Sequence, residues 1–391
     1  MRINNNTFQR DANISLVAQT IWRHPGISRI DIARALNLYR STVTNIIQNL
    51  IEAGIVYEAE AGEVTPQGGR RPILLRINEK MGCVVGLEIQ PDFYRAAVTN
   101  IYGQRLYEEE KPLKDSSLAA VFAFLFDHLR TVVENIRLPF LGISIALPGI
   151  INPDEGIIIQ SDPFDLTNYH FYREVAARYP VPIMIENDAN CCAWEDLNRY
   201  RDTPLEDFIS VLAEYHTKNP LTGLRSGVGV GMGIALGGKI HYGKRYAAGE
   251  FTSVLWQQGK SGQFELSDEV MLHVADNEGA YRQFLIELFK SLKPIVSVFD
   301  PEVLFFHGEA CRNREVVLDL LEKDEQHGLK SVLQRVGCRL ELSPGDVFDV
   351  AHGAASMFIH RLFSVPELTD RKGSYRISWE EIFERVKNGT R

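Results

Sequence analysis

The chain has 391 residues, 45% of them hydrophobic and 24% charged, an ordinary globular composition in a length that suits two or three domains rather than one. No apolar run is long enough to span a bilayer, and the polar start MRINNNTFQRD is unlike a targeting segment, so the cytoplasm is the expected compartment and no membrane partner is expected. The net charge of −9 is uneven: residues 1–80 hold ten Lys/Arg against seven Asp/Glu, the remainder 32 against 44, so a mildly basic head sits on an acidic body and would meet DNA head-first.

The head carries the strongest local signal. A helix over about 11–24 offers Ile14, Leu16, Val17, Ile21 and Trp22 for packing. Ser28 is a good N-cap with Asp31 three residues on, and Ile30, Ala33 and Leu36 give the next helix an apolar face. Asn37 suits the turn, and a second helix runs from about Arg40 to Ala53 with Val43, Ile46, Ile47 and Leu50 inward and Gly54 as its stop. Its other face offers Arg40, Ser41, Thr42, Thr44, Asn45 and Gln48, polar and mostly short side chains able to reach base edges and phosphates in a major groove. Strands at 55–60 and 73–77 can pair around a tip containing Gly68, Gly69, Arg70, Arg71 and Pro72. Glycines there let backbone approach DNA, and adjacent arginines suit a narrow minor groove. The pattern is a helix-turn-helix with a wing; the plainer alternatives are a surface helical hairpin and a solvated basic linker.

After residue 80 strands and helices alternate. Strands are expected at 82–89, 93–101 and 105–111, a helix at 116–136, strands at 141–147 and 182–187 with a short helix near 171–179 between them, and a helix at 189–201. Strands at 208–215 and 227–236 follow, then helices at 267–275, 278–299, 312–323 and 347–364 and strands near 302–307 and 338–343. The order strand-strand-strand-helix-strand occurs twice, from 82 and from 208, which suggests two similarly built α/β lobes around a cleft. The expected division is 1–80 for the head, 81–205 and 206–364 for the lobes, and 365–391 for an amphipathic C-terminal helix. That helix has Ser378 and Glu381 as a capping box and Trp379, Ile382, Phe383 and Val386 on one face, and should dock on the body or on a second subunit. Five scattered cysteines read as reduced thiols, with the adjacent Cys191 and Cys192 as small core residues.

Several segments together resemble the ROK family (repressor, open reading frame, kinase) over about residues 11–364: STVTNIIQNLIEAGIVYE followed by GGRRPILLRIN, then ALPGIINPDEGII, VPIMIENDAN, GVGVGMGIALGGKIHYG and AAGE. The branch indicated is that of the transcriptional regulators. The resemblance implies a winged helix-turn-helix joined to a two-lobed, actin-like (ribonuclease H-like) body of the sugar-kinase type. It also implies sugar contacts from Gly149, Asn187, Asp188 and Glu250, with Asp162 in a looser correspondence. In the family's kinases the residue matching Asp188 is the general base; alternatively it caps the following helix. His170, His216 and His307 read as surface or core histidines.

Two departures bear on chemistry. The family's Asp-x-Gly-x-Thr phosphate loop is here Glu88–Ile89–Gln90–Pro91–Asp92, which loses the glycine, loses one N–H donor at Pro91 and adds a negative charge. Gly227, Gly229, Gly231 and Gly233 survive in the second phosphate loop, but glycines also permit tight strand packing. Family members bind structural zinc with a histidine and three cysteines; here Ser253 stands for the histidine and no cysteine lies between 192 and 311, so Phe251, Leu255, Trp256 and Phe264 are expected to hold that loop by packing. The sequence therefore reads as a non-enzymatic, sugar-responsive DNA-binding regulator without cofactor or metal. Its expected partners are a palindromic duplex operator, a sugar or sugar derivative and a second copy of the chain. The alternatives are an ATP-dependent sugar kinase with a DNA-binding head, and a regulator controlled by a protein partner.

Overall fold

In the computed structural model, which describes residues 5–61, 72–113, 117–216, 227–260, 262–323, 328–365 and 377–389, the head follows its local signals closely. It consists of α1 (Asn5–Arg23), β1 (Ile27–Ser28), α2 (Arg29–Ala35), α3 (Arg40–Glu52), β2 (Val56–Ala61) and β3 (Ile73–Ile77). The Ser28 hydroxyl accepts from the Asp31 N–H at 3.3 Å and donates to the Asp31 carboxylate at 2.6 Å, fixing the start of α2. Val43, Ile46, Ile47 and Leu50 are buried along α3, and Gly54 leaves the helix with φ +76°. β2 and β3 pair antiparallel as the wing, and β1 adds to β3. Ile30 departs from expectation: it is 47% exposed, and the buried positions of α2 are Ile32 and Ala33. In a helix of seven residues the two apolar spacings compete, and packing against α1 and α3 selects the second. Arg70 and Arg71 lie outside the described residues.

The body contains two five-stranded sheets of the same topology. The first lobe runs through β4 (Cys83–Ile89), β5 (Phe93–Asn100), β6 (Arg105–Pro112), α4 (Leu118–Ile136), β7 (Phe140–Leu147), β8 (Ile150–Asn152), β9 (Ile157–Ser161), β10 (Leu166–His170), α5 (Phe171–Glu174), β11 (Ile183–Asn187) and α6 (Asp188–Arg199). The second runs through β12 (Phe208–His216), β13 (Gly227–Leu236), β14 (Lys239–Ile240), α7 (Asp268–Leu272), α8 (Glu278–Phe299), β15 (Val303–Gly308), α9 (Arg314–Lys323), α10 (Leu329–Val336), β16 (Arg339–Leu342) and α11 (Asp349–Phe363), with α12 (Trp379–Gly389) after it. The strand orders are β11-β7-β4-β5-β6 and β16-β15-β12-β13-β14. In each, the first three strands of the lobe form an antiparallel meander and the last two add in parallel. Continuous apolar runs such as LGISIAL suit these inner parallel strands, which are covered on both faces. The repeated order expected from the sequence is thus present, with an additional small sheet of β8, β9 and β10 and the helix α10 that were not expected.

The lobes exchange helices. α6 follows the last strand of the first sheet and packs on β12 and β13 of the second; α11 follows the last strand of the second and packs on β4, β5 and β7 of the first. A division at 205 and 364 therefore follows the chain but not the packing. The two helices also cross each other, and a side chain at Gly353 would run into the Cys191 carbonyl, so the crossing needs glycine. At this crossing His307 of β15 is fully buried between Asp196 of α6, at 2.9 Å, and Asp349 of α11, at 2.8 Å, and Ser210 donates to Asp196 at 2.6 Å.

The head is not a separate body on a tether. Its core is continuous with residues of α11, α12 and the first sheet, including Phe358, Phe363, Trp379, Ile382 and Val386. Trp22 of α1 stacks on Phe363 at 5.0 Å, and the Trp379 indole donates to the Ser15 hydroxyl at 2.9 Å. All five cysteines are buried and unpaired with one another. No helix among the described residues is long and apolar enough to cross a membrane.

Candidate functional site

The outer face of α3 presents Arg40, Ser41, Thr44, Asn45 and Gln48 to solvent, with Thr42 half-buried. Gln48 is partly engaged already, donating to Glu52 at 3.0 Å. Tyr39 precedes the helix, makes no capping hydrogen bond and is 84% exposed, an aromatic ring left at the N-terminal end of the reading face. The burial of Val43, Ile46, Ile47 and Leu50 dictates this outward set.

The residues expected to contact a sugar gather where β11 ends and α6 begins. Asn187 is the N-cap of α6: its Oδ1 accepts from the Asn190 N–H at 3.0 Å, and its Nδ2 donates to the Gly149 carbonyl and to Asp188 Oδ1, each at 3.0 Å. The capping role suggested for Asp188 therefore belongs to its neighbour. Asp188 Oδ1 accepts from the Ala189 N–H at 2.8 Å, and Oδ2 lies 3.4 Å from the Gln90 amide. Burial pushes the Asp188 carboxyl up to about 7, with Glu214 and Glu250 adding to the shift against the Ala189 and Gln90 hydrogen bonds. Glu250 bridges to Gly231 and is also raised, by partial desolvation and by the Asp162 carboxylate. Asp162 is exposed and accepts from Gln160 at 2.9 Å. Gly149 has φ +118°, and a side chain there would strike the Gln160 carbonyl, so chain packing already requires the glycine. Hydrogen bonds thus join Gly149, Asn187 and Asp188, and charge links Glu250 to both Asp188 and Asp162.

A ROK family pattern matches residues 84–257, and a winged helix-turn-helix DNA-binding pattern matches residues 19–57. The body of the chain carries the ROK family's pattern behind a winged helix-turn-helix. It is 25% identical over 411 aligned positions to a xylose repressor of Caldicellulosiruptor bescii, covering 93% of this chain and 99% of that protein. It is 27% identical over 259 positions to a putative xylose repressor of a Caldicellulosiruptor species, a match spanning 63% of this chain and 59% of that relative, under two thirds of its length. A crystal structure of a ROK-family transcriptional regulator, a homologue of the Escherichia coli MLC protein, superposes with a TM-score of 0.68 at 17% identity over 98% of both chains, a likeness of fold.

Beside Asp188 the fold places charges that sequence reasoning missed. Arg95 of β5 reaches Glu88 at 3.3 Å, Glu110 at 2.9 Å and, across the cleft, Glu214 of β12 at 3.0 Å. Glu88 is fully buried and raised to about 8, first by burial and then by Glu214, with Arg95 opposing. Arg95 itself stays charged, because these carboxylates outweigh its burial. Of the surviving glycines, a side chain at Gly231 would press on the Ala189 side chain at 3.0 Å and one at Gly233 would meet the Ala189 carbonyl at 2.6 Å, so these two are accounted for by α6 packing on β13. Arg95 and Glu214 lie 119 residues apart, and only the fold brings them together.

Residues 249–267 contain no cysteine and no histidine, the ligands that tetrahedral structural zinc takes. A side-chain amide does the bracing. Gln263 accepts from the Val230 N–H and donates to its carbonyl, both at 2.7 Å, and reaches the Phe251 carbonyl at 3.0 Å. Phe251 and Phe264 are buried and 5.3 Å apart, as expected, but Leu255 and Trp256 are 42% and 37% exposed. Their side chains lie on the outer side of the loop, where the Trp256 indole donates to the Gly262 carbonyl at 2.8 Å. Glu108, Asp346 and His352 group their ligand atoms elsewhere, but Arg105 already pairs with both carboxylates.

Proposed function

We propose that this protein is a sugar-responsive transcriptional repressor, acting as a cytoplasmic homodimer on a palindromic operator. The observation that carries the reading is a polar, outward α3 on a head whose core is continuous with α11 and with the first sheet, whose strand β11 ends at Asn187 beside Asp188. Carboxylates and amides at a strand end accept and donate to sugar hydroxyls. The xylose repressors to which the chain is similar give pentoses first place among effectors. The grouped carboxylates of Asp162, Asp188 and Glu250 favour an uncharged sugar over a sugar phosphate. Glu88–Asp92 stands where the family's phosphate loop would be, without its glycine, without an N–H at Pro91 and with an added carboxylate, so the body is read as having lost its nucleotide site along with its zinc. Two heads on a two-fold axis imply half-sites a whole number of turns apart, about 34–36 Å per turn.

The decisive experiment is calorimetric titration with D-xylose and a sugar panel, with and without operator. Asp188→Ala and Glu250→Ala should each weaken sugar binding by about 10- to 100-fold, the cost of a sugar hydroxyl left without its acceptor, while operator affinity stays at the parent level. A sugar that loosens operator binding must bind less tightly to the operator-bound protein. Identical sugar affinities for all three proteins would exclude this cleft. Turnover of ATP and sugar that Asp188→Asn abolishes would instead make the protein a kinase, a role for which a carboxyl near neutrality at Asp188 is suited.

The wing has its own test. Arg70→Ala/Arg71→Ala should weaken operator binding and reduce the dependence of log K on log salt by about two, roughly one for each phosphate contact removed. Arg40→Ala or Asn45→Ala should chiefly reduce discrimination between operator and random duplex. An unchanged salt slope in the wing variant would reduce residues 70–71 to a linker.

A further inference from the structure

We propose that Glu186, Trp194, Tyr242 and Arg361 form the relay by which closure of the cleft reaches the DNA-reading head. The proposal rests on the reading of that cleft as an effector site. Glu186 is fully buried and immediately precedes Asn187 and Asp188. Its Oε1 accepts from the Asn187 N–H at 2.8 Å and from Asn190 Nδ2 at 3.2 Å. Its Oε2 accepts from the Tyr242 hydroxyl at 2.6 Å and from the Trp194 indole at 3.4 Å. A carboxylate has about four acceptor directions, so this one is fully engaged by four donors from three parts of the chain.

Those donors lie on both sides of the cleft. Tyr242 follows β14 of the second lobe, and Tyr246, four residues on, donates to Asp154 of the first lobe at 3.5 Å. Arg361, in the last turn of α11, donates to the same Asp154 at 3.2 Å, and its charge acts on Tyr242 and Glu186. The neighbouring His360 ring lies 5.5 Å from Trp194 and meets Trp22 of α1 edge-on at 5.1 Å. Trp22 is in turn fixed by stacking on Phe363 and by donating to the Ile101 carbonyl at 3.2 Å. The path from the residue backing Asn187 to the first helix of the head is therefore three contacts long.

A buried network of this kind has few arrangements rather than a continuum. When the lobes change their angle, the Tyr242 hydroxyl either keeps its bond to Glu186 or leaves a buried carboxylate short of a donor. The segment that carries Tyr242 is also tied through Tyr246 and Asp154 to Arg361, so the last turn of α11 must follow. The head sits on that turn through Trp22 and Phe363. Closure at the cleft is thereby converted into a shift of α1, and binding at either end biases the other.

The test uses the full-length protein, a duplex enriched from random sequence by the parent protein, D-xylose as the sugar probe and Tyr242→Phe. That change removes the hydroxyl that crosses the lobes and spares both the candidate sugar groups and the head. In the parent, the duplex should alter amide hydrogen exchange over 183–199 and 239–246. In Tyr242→Phe this response should vanish while duplex affinity is kept. D-xylose should reduce duplex affinity of the parent by about 5- to 150-fold, the usual range of allosteric coupling, and the factor should fall towards one in the variant. Trp194→Phe deletes the donor on the other side of Glu186 and should weaken the same response, which guards against a folding defect peculiar to one variant. An exchange response that persists in both variants, or that is absent from the parent, overturns the relay. If D-xylose leaves the parent's duplex affinity unchanged, the pentose assignment fails, and the exchange arm alone then decides the relay.

Discussion

Replacing His307 with alanine is expected to destabilise the protein by about 3–5 kcal/mol, the usual cost of removing one member of a buried ion network. Asp196 and Asp349 would then face each other across a cavity, where each now bonds the imidazole at 2.9 and 2.8 Å. Burial by itself would lower the histidine's proton affinity, but the two aspartates reverse that and raise His307 to about 10. Asp349 is held below its ordinary range despite its own burial. A raised histidine pKa gives stability that is present in full below the unfolded value of about 6.5 and is lost as pH rises through the folded value. Asp349 acts in the opposite direction, and its contribution is lost as pH falls into the acid range. Urea unfolding at stepped pH should show the parent losing stability between about 6.5 and its folded titration near 10, with the gap to His307→Ala narrowing over that window. Glu88 and Asp188, whose carboxyls are also raised, lose stability with rising pH in both proteins and cancel in the difference. A constant gap across the window would mean that His307 is not charged in the fold.

The second large effect is expected at Trp379. Its ring is 4% exposed, contacts Phe363 and Phe383 at centroid distances of 6.0 Å, and donates to Ser15. Trp379→Ala should cost about 3–5 kcal/mol by cavity formation and lost transfer energy. The loss should fall first on the head, because Ile382 and Val386 complete the same core and Arg385 reaches the Phe140 carbonyl at 3.5 Å at the start of β7. Thermal melting and operator titration of Trp379→Ala together check this. Parental melting and parental operator affinity in this variant would show that α12 is an accessory.

The head was legible because its signals are local. Ser28 with Asp31, the apolar series of α3 and Gly54 each act within a few residues, and their consequences match. Ile30 was misread because Ile30 and Ile32 offer two faces to a short helix, and only the third dimension chooses. The strands β8, β9 and β10 went unread because INPDEGIIIQSDPFDLTNYH breaks its apolar runs with Pro, Gly and Asp every few residues. α10 had a readable signal in Leu329, Val332 and Leu333 before Gly337, but in only eight residues. The exchange of α6 and α11, the Arg95–Glu214 pair and the Gln263 brace join residues far apart in sequence or in unrelated loops, and no periodicity encodes them. Leu255 and Trp256 look like core residues by composition, yet the amide of Gln263 leaves them nothing to fill.

The sharing of the head's core with α12 sets an order of events in synthesis. Residues 5–77 leave the ribosome well before α12, the helix that closes part of their apolar face. With roughly 300 residues between them and translation at about 5–20 residues per second, the head waits about 15–60 s for its final helix. A nascent or prematurely terminated chain carries the reading helix with Ser15 unpartnered and an apolar patch open to solvent. The core of the head is therefore complete only after α12 has been made.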